Sequence, residues 1–386
     1  MEEEEKKNDL LSPLSSIENL IIITKGGAQP ILLDKYDEYL NMPLKLVKMS
    51  DIVNYLDIIE KYHSHYPDKK NILNSYLKLD KIILGFSDYL SDFGSNDQDS
   101  YLINSTTGKV KITLSEYIKY LFIMNPQYNI VPFEYVPCDS GKKRIQRFIS
   151  KLNIFFENIE SNQNFKECNI IIPYFLDFSK ILEQNSKYQS HLDKAKGLLI
   201  FNEALQNINN QKVIEYKEQI DKIKKDKKII IKTSSESIID LIIGTMIGCT
   251  HFEISFPYLH AEEGKCLNFN VDEYKQDVNY GDINKLDNFD FIPNLLDVKD
   301  IKCLNDIEII TKDCKCFSCL TGYKRSYLYH LFFCKELNGP IIIAIHNYFK
   351  VREFYQKLTL LKNDVDKLNN FIMWFFTTQC TKNPKK

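Results

Sequence analysis

Nothing in this sequence marks it for export or for a membrane. The N-terminus carries Glu2 to Glu5 in a row, where a signal peptide needs a basic start and an apolar run, and where transit peptides avoid acids. No stretch approaches the roughly 20 apolar residues that span a bilayer. The longest apolar patches, such as Ile341 to Ile345, have the size of a strand or a buried helical segment. The expected compartment is therefore the cytosol. Net charge is also missing: the formal value is −2, so overall charge does not announce a nucleic-acid binder, although a local basic patch remains compatible with it. No repeat of fixed period is visible. Ten cysteines in 386 residues fall short of a disulfide scaffold. Seven of them (Cys138, Cys168, Cys249, Cys266, Cys303, Cys334 and Cys380) are scattered, and in a reducing compartment they read as small buried residues.

What remains is an ordinary globular composition, 44% hydrophobic and 26% charged, in a chain long enough for one large barrel or two domains. Residues 1–12 read as a disordered acidic tail. Compact apolar runs follow at Asn19–Thr24, Ile82–Phe86, Ile170–Pro173, Gly197–Phe201, Ile229–Ile231 and Phe252–Phe256, with a further element starting at Pro30. Most do not alternate with polar residues, which is the habit of strands buried on both faces. Helical patterns lie between them. Thr113 and Glu116 form a Thr-x-x-Glu capping box before a helix to Phe122. Lys142–Ile159 and Val213–Lys225 have helical spacing, and Ser234 or Ser235 is expected to cap a helix running to Gly248. Strand and helix alternate, so an α/β fold with a parallel sheet is expected, and pattern alone does not separate a closed barrel from an open sheet.

Three cysteines are not scattered. Cys314-Lys-Cys316-Phe-Ser-Cys319 has the spacing C-x-C-x-x-C, ahead of a helix expected from about Tyr323 to Leu337. Three thiolates this close converge on one cation without distant segments having to meet. Zinc takes four ligands in a tetrahedron, so three thiolates and one imidazole leave no open position and describe a structural site. On spacing alone His330 and His346 are equal candidates for the fourth ligand.

The segment from Cys314 to Phe349 resembles the zinc subdomain of the tRNA-guanine transglycosylase family. That family shows C-x-C-x-x-C, a Tyr-rich helix with an arginine and a Tyr-Leu-x-His-Leu segment, and an Ile-His-Asn, here Tyr323, Arg325, Tyr327–Leu331 and Ile345–Asn347. A second match runs from Gly248 through Phe252-Glu253 and Pro257 to Gly264. The resemblance implies a (β/α)8 TIM-like barrel, one unit over 13–386, with a zinc-binding subdomain inserted near the C-terminus at about 300–350. It also implies one structural Zn2+ on Cys314, Cys316, Cys319 and His346, in preference to His330.

The departures are as informative. Catalytic members of the family attack the ribose with an aspartate in the Phe-Asp motif. Here that position is Glu253, whose extra methylene moves the carboxylate by roughly 1 Å, enough to spoil an in-line attack. The Pro-Thr-Arg that follows is Pro257-Tyr258-Leu259 here. The Asp-Ser-Gly-Gly-Phe motif is absent, and its nearest counterpart, Ser87–Asp99, offers Asp88 and Asp92. Pro173 and Tyr174 stand where a glycine-rich base-contact loop is expected. The pattern implies a family member without catalytic residues, which forms a heterodimer with a catalytic queuine tRNA-ribosyltransferase subunit and meets tRNA through that complex. Tyr323, Tyr327, Tyr329, Phe332 and Phe333 are candidate interface residues. Lys142, Lys143, Arg144, Arg147 and the lysines of 222–228 are candidate phosphate contacts. Such subunits lie peripherally on the outer face of mitochondria, which extends the expectation of a cytoplasmic protein. The alternative is an active transglycosylase with Glu253 as nucleophile and Asp88 or Asp92 as its acid–base group.

Overall fold

The computed structural model describes residues 14–25, 34–67, 72–77, 79, 81–86, 99–137, 140–161, 169–201, 208–224, 227 and 229–382. Eight parallel strands close into a barrel: β1 (Leu20–Ile23), β2 (Leu44–Lys48), β3 (Lys81–Gly85), β4 (Tyr128–Ile130), β5 (Ile170–Tyr174), β6 (Gly197–Ile200), β7 (Ile229–Ser235) and β8 (His251–Ile254). Each strand pairs with its neighbour in sequence, and β8 closes on β1 through Ile21 opposite Glu253. This is the (β/α)8 architecture, and its C-terminal strand ends form the mouth where such folds place their chemistry. Among the described residues no helix is long and apolar enough to cross a membrane.

Six strands fall on the apolar runs of the sequence. The other two, β2 and β4, lack that signature because each carries a buried polar side chain satisfied from elsewhere. Lys45 in β2 reaches Asp37 at 2.8 Å on the preceding helix (Asp34–Leu40). Asn129 in β4 accepts a hydrogen bond from Tyr117 Oη at 2.8 Å. Burial of a paired polar group costs little, but its partner is invisible in a local pattern.

The helices follow their local signals closely. The Thr113–Glu116 capping box starts the helix Leu114–Met124, and Lys142–Glu160 forms a single helix of 19 residues. One expectation is corrected: Ser234 and Ser235 belong to β7. The cap of helix Ile238–Ile247 is Ser237, boxed with Asp240. Ser234 has φ 47°, an unusual value for a residue with a side chain, and it sits where the β7–β8 register shifts by one residue. Gly244 of that helix lies so close to the barrel that a Cβ there would come within 2.8 Å of Lys232 Cδ.

After β8 the chain leaves the barrel. Helix Phe256–Glu262 leads to a short strand, Lys265–Leu267, paired antiparallel with Leu295–Asp297. The helical segments Ile301–Asn305, Phe317–Leu320 and Arg325–Phe333 follow. The helix expected to reach Leu337 stops at Phe333, Lys335 takes a positive φ of 58°, and a new helix of 24 residues runs from Asn338 to Leu361. Ile341–Ile345 lies inside it. This long helix packs back on helix Phe256–Glu262 and so ties the inserted region to the barrel.

Candidate metal centre and barrel mouth

Cys314, Cys316, Cys319 and His346 meet in one buried cluster, with their ligand atoms all within 4.8 Å of one another. The short helix Phe317–Leu320 brings two of the sulfurs together, because Cys316 caps it and accepts the backbone N–H of Cys319 at 3.3 Å. Arg325 holds the approach to the knuckle by donating to Ile309 O, Ile310 O and the Asp306 carboxylate at 3.0–3.1 Å. His346 comes from the long helix. Its Nδ1 lies 3.3 Å from Cys316 Sγ, 3.6 Å from Cys319 Sγ and 3.7 Å from Cys314 Sγ. A tetrahedral zinc, with sulfur at about 2.3 Å and nitrogen at about 2.0 Å, sets each sulfur about 3.5 Å from the nitrogen. The cluster thus has the dimensions of a tetrahedral ligand set able to hold one metal ion, and its donors suit zinc.

The second ring nitrogen supports the same reading. His346 Nε2 donates to Leu267 O at 2.9 Å, which fixes the tautomer and leaves the Nδ1 lone pair facing the sulfurs. Without a cation three packed thiols cannot all ionise. Hydrogen bonds from Cys314 and Cys316 hold the Cys319 thiol below its ordinary value, while burial drives Cys316 up. His330 is exposed, 3.8 Å from Cys334 Sγ and away from the cluster, so geometry separates two histidines that spacing left equal.

Asn347, next to the ligand, has a role that sequence reading did not assign. It is fully buried and accepts the Leu267 N–H at 2.9 Å, while its Nδ2 donates to Pro257 O and Lys265 O, each at 3.0 Å. Pro257 follows β8. One amide therefore joins the metal cluster to the barrel end that carries Glu253. The only sequence signal was its place beside His346.

At the mouth, Glu253 shares the register position of Ile21 and is 2% exposed. Its Oε2 accepts the backbone N–H of Ser234 at 2.9 Å, so the carboxylate is engaged by the irregular end of β7. Beyond the ends of β4, β5 and β6 the space is filled with rings. Phe175 stacks on Phe201 (centroids 5.0 Å apart, planes within 7°), and Phe133, Tyr135 and Phe148 pack around them at 5.2–5.4 Å. Among the described residues, a cavity beside Tyr174 and Phe175 measures about 10 Å³, about the size of one water and far too small for a purine. A larger cleft of about 320 Å³ lies to one side, against Phe256, Phe289 and Phe291, and Glu253 does not line it. Its rim carries Glu236, Asp240 and Asp290, and Asp240 pairs with the buried Lys232 at 3.3 Å. Asp88 and Asp92 lie outside the described residues.

The family model for queuine tRNA-ribosyltransferase, abbreviated TGT, matches residues 48–364. The chain belongs to the TGT family. Among its TGT relatives, a "queuine tRNA-ribosyltransferase-like protein" of Plasmodium falciparum isolate 3D7 is 26% identical over 380 residues, covering 88% of this chain and 90% of the relative. Two others are named queuine tRNA-ribosyltransferase accessory subunit 2. The Aedes aegypti protein is 21% identical, over 91% of this chain and 83% of its own length. The Culex quinquefasciatus protein is 20% identical, over 88% and 79%.

The remaining candidates divide. Arg144 donates to Tyr135 O at 3.1 Å and Arg147 pairs with Glu134 at 3.3 Å, so both have partners within the chain. Lys142 and Lys143 are exposed at the start of their helix. Lys224 pairs with Asp221, and Lys227 donates to Ala195 O at 3.0 Å. Lys225 and Lys228 lie outside the described residues. Tyr323 and Tyr327 stack at 6.0 Å, Phe332 is half-buried against Gly339, and Tyr329 is half-buried. Phe333 is 77% exposed, in a region that also exposes Ile307 (75%) and Leu337 (80%).

Proposed function

We propose that this chain is the non-catalytic subunit of a heterodimeric queuine tRNA-ribosyltransferase, supporting the exchange of guanine for queuine at the anticodon wobble position of tRNA. The observation that carries this reading is the filled mouth: stacked rings occupy the space beyond β4–β6, and the one carboxylate at the nucleophile position is buried against Ser234. A nucleophile must reach the anomeric carbon in line. A 2% exposed carboxylate bonded to its own backbone does not offer that approach. The accessory-subunit names of the Aedes and Culex relatives support the same role.

In this reading the barrel is a scaffold, one unit over 13–386, and a structural zinc on Cys314, Cys316, Cys319 and His346 stiffens the region of about 300–350. Large exposed apolar side chains on a soluble domain mark an interaction surface. Phe333, Leu337, Ile307 and Tyr327 supply the face that the catalytic subunit covers. tRNA is engaged by the complex, with Lys142 and Lys143 as this chain's phosphate contacts. The complex works in the cytoplasm, peripheral to the mitochondrial outer membrane.

The test is base exchange with labelled guanine by this chain, by the catalytic subunit, and by the two mixed. Activity confined to the mixture is the expected outcome. Exchange by this chain alone would overturn the reading and make Glu253 the nucleophile.

A further inference from the structure

The cleft of about 320 Å³ beside the barrel mouth is walled by Phe256, Phe289, Phe291 and Pro293. Of the three carboxylates at its edge, Asp240 is held by Lys232 and by the N–H groups of Glu236 and Ser237, at 2.7 and 3.0 Å. Glu236 is exposed, and Asp290 stands next to Phe291. The last described strand of the chain ends at this rim. Cys380–Lys382 pairs antiparallel with Phe291–Pro293, with Lys382 opposite Phe291. All three residues of the partner strand line the cleft. The pairing is anchored behind by Asn294 N–H, which donates to Gln379 O at 2.9 Å. Opposed residues of an antiparallel pair lie about 5 Å apart. A chain leaving Lys382 therefore heads toward the level of Asp290 and Phe289, and both line the cleft.

Asn383-Pro384-Lys385-Lys386 follows and lies outside the described residues. Four residues span up to about 13 Å, enough to bring both lysines along the rim. We propose that the cleft is the docking site of this C-terminal segment, with the Lys385 and Lys386 ammonium groups against Glu236 and Asp290, and Pro384 on the Phe289 and Phe291 rings. Charge complementarity selects the occupant: two cations leave the strand where the rim offers two carboxylates besides the one held by Lys232. The proline suits the place as well. It has no N–H to extend the ladder, so pairing stops before it, and its ring is apolar. The segment covers phenylalanine surface that would otherwise face water. This placement needs neither a metal ion nor a partner subunit, so it stands apart from the functional reading above.

The test uses the full chain with no residue added after Lys386, and carboxypeptidase B, which removes C-terminal lysines. Intact mass follows the loss of Lys386. The wild-type chain should lose it about three- to tenfold more slowly than the double variant Glu236→Gln/Asp290→Asn, the scale of two ion pairs at a surface. High salt should erase the difference. Glu218→Gln, which removes an exposed acid that does not line the cleft, should keep the wild-type rate. In a second measurement, a chain truncated after Lys382 should bind the neutral apolar dye Nile red more strongly than the wild-type chain, because its cleft is open. Equal release from wild type and double variant overturns the proposal, and so does dye binding that truncation leaves unchanged. Protection that disappears on dilution also overturns it, and assigns the cleft to the tail of a second copy. If the double variant does not fold, the truncated chain carries the test.

Discussion

The barrel mouth and the metal cluster sit at the two ends of one hydrogen-bonded bridge, and they differ in what they keep. The cluster has every element that holding an ion requires: four convergent donors, a fixed tautomer, and buried polar neighbours with their bonds made. The mouth has the barrel geometry of its family but is packed as a core would be, with rings where an open pocket is needed and the carboxylate bonded to its own backbone. Requirements of folding act on the first region and requirements of chemistry on the second. In the proposed role of partner to an enzyme, this chain keeps the first set and fills in the second.

The sharpest way to break this comparison is to attack the cluster. Cys316→Ser should abolish zinc binding and lower thermal stability by more than any change at the mouth, because metal-binding energy on the order of 10 kcal/mol is folding energy in structural zinc sites. Zinc content by atomic absorption and a melting curve check it, and unchanged stoichiometry in the variant would remove the metal site. The bridge comes next. Asn347→Ala takes the acceptor from the Leu267 N–H and the side-chain donor from Pro257 O and Lys265 O, a cost of about 2–4 kcal/mol. The midpoint of urea unfolding reports it, and a wild-type midpoint would show that the two regions are held together in another way.

A smaller effect is expected inside the barrel. Burial lowers the His251 imidazole to about 4. The unfolded chain binds that proton near pH 6.5 and the folded chain does not, so stability should fall as pH drops from 6.5 to 4, by on the order of 2 kcal/mol. His251→Gln should flatten that part of the melting temperature against pH, and an unaltered slope would assign the acid sensitivity to another group. The smallest change is expected at Glu253. Glu253→Gln should leave base exchange by the mixed complex unchanged and weaken the fold by about 1–2 kcal/mol, through the bond from Ser234. Loss of exchange with the fold intact would move Glu253 from the framework to the chemistry.

The two regions also differed in how readable they were. The cysteines lie within six residues, so their spacing stated the site, and the Thr113 cap stated its helix. His346 was not separable from His330 by spacing, because the choice depends on where the long helix docks. The ring cluster was hidden for a different reason. Phe133, Tyr135, Phe148, Phe175 and Phe201 come from three barrel loops and one helix, and none is unusual in its own segment. They converge only when the strands close. Ser237 was mistaken for its neighbours because β7 ends irregularly at Ser234, and a left-handed residue leaves no local mark unless it is Gly or Asn.

Arg352, on the long helix, donates to Leu40 O at 2.9 Å and to Ser15 Oγ at 3.0 Å, bonds that span 312 and 337 residues. Tyr355, one turn on, reaches Thr250 O beside β8 at 3.3 Å. The segments on either side of β1 and the helix Asn338–Leu361 therefore secure each other, and this has a cost in time. At roughly 5–20 residues per second of synthesis, β1 waits tens of seconds for the helix that locks it, with strand edges still open to wrong partners. The chain should be most vulnerable to aggregation and proteolysis before the helix Asn338–Leu361 emerges.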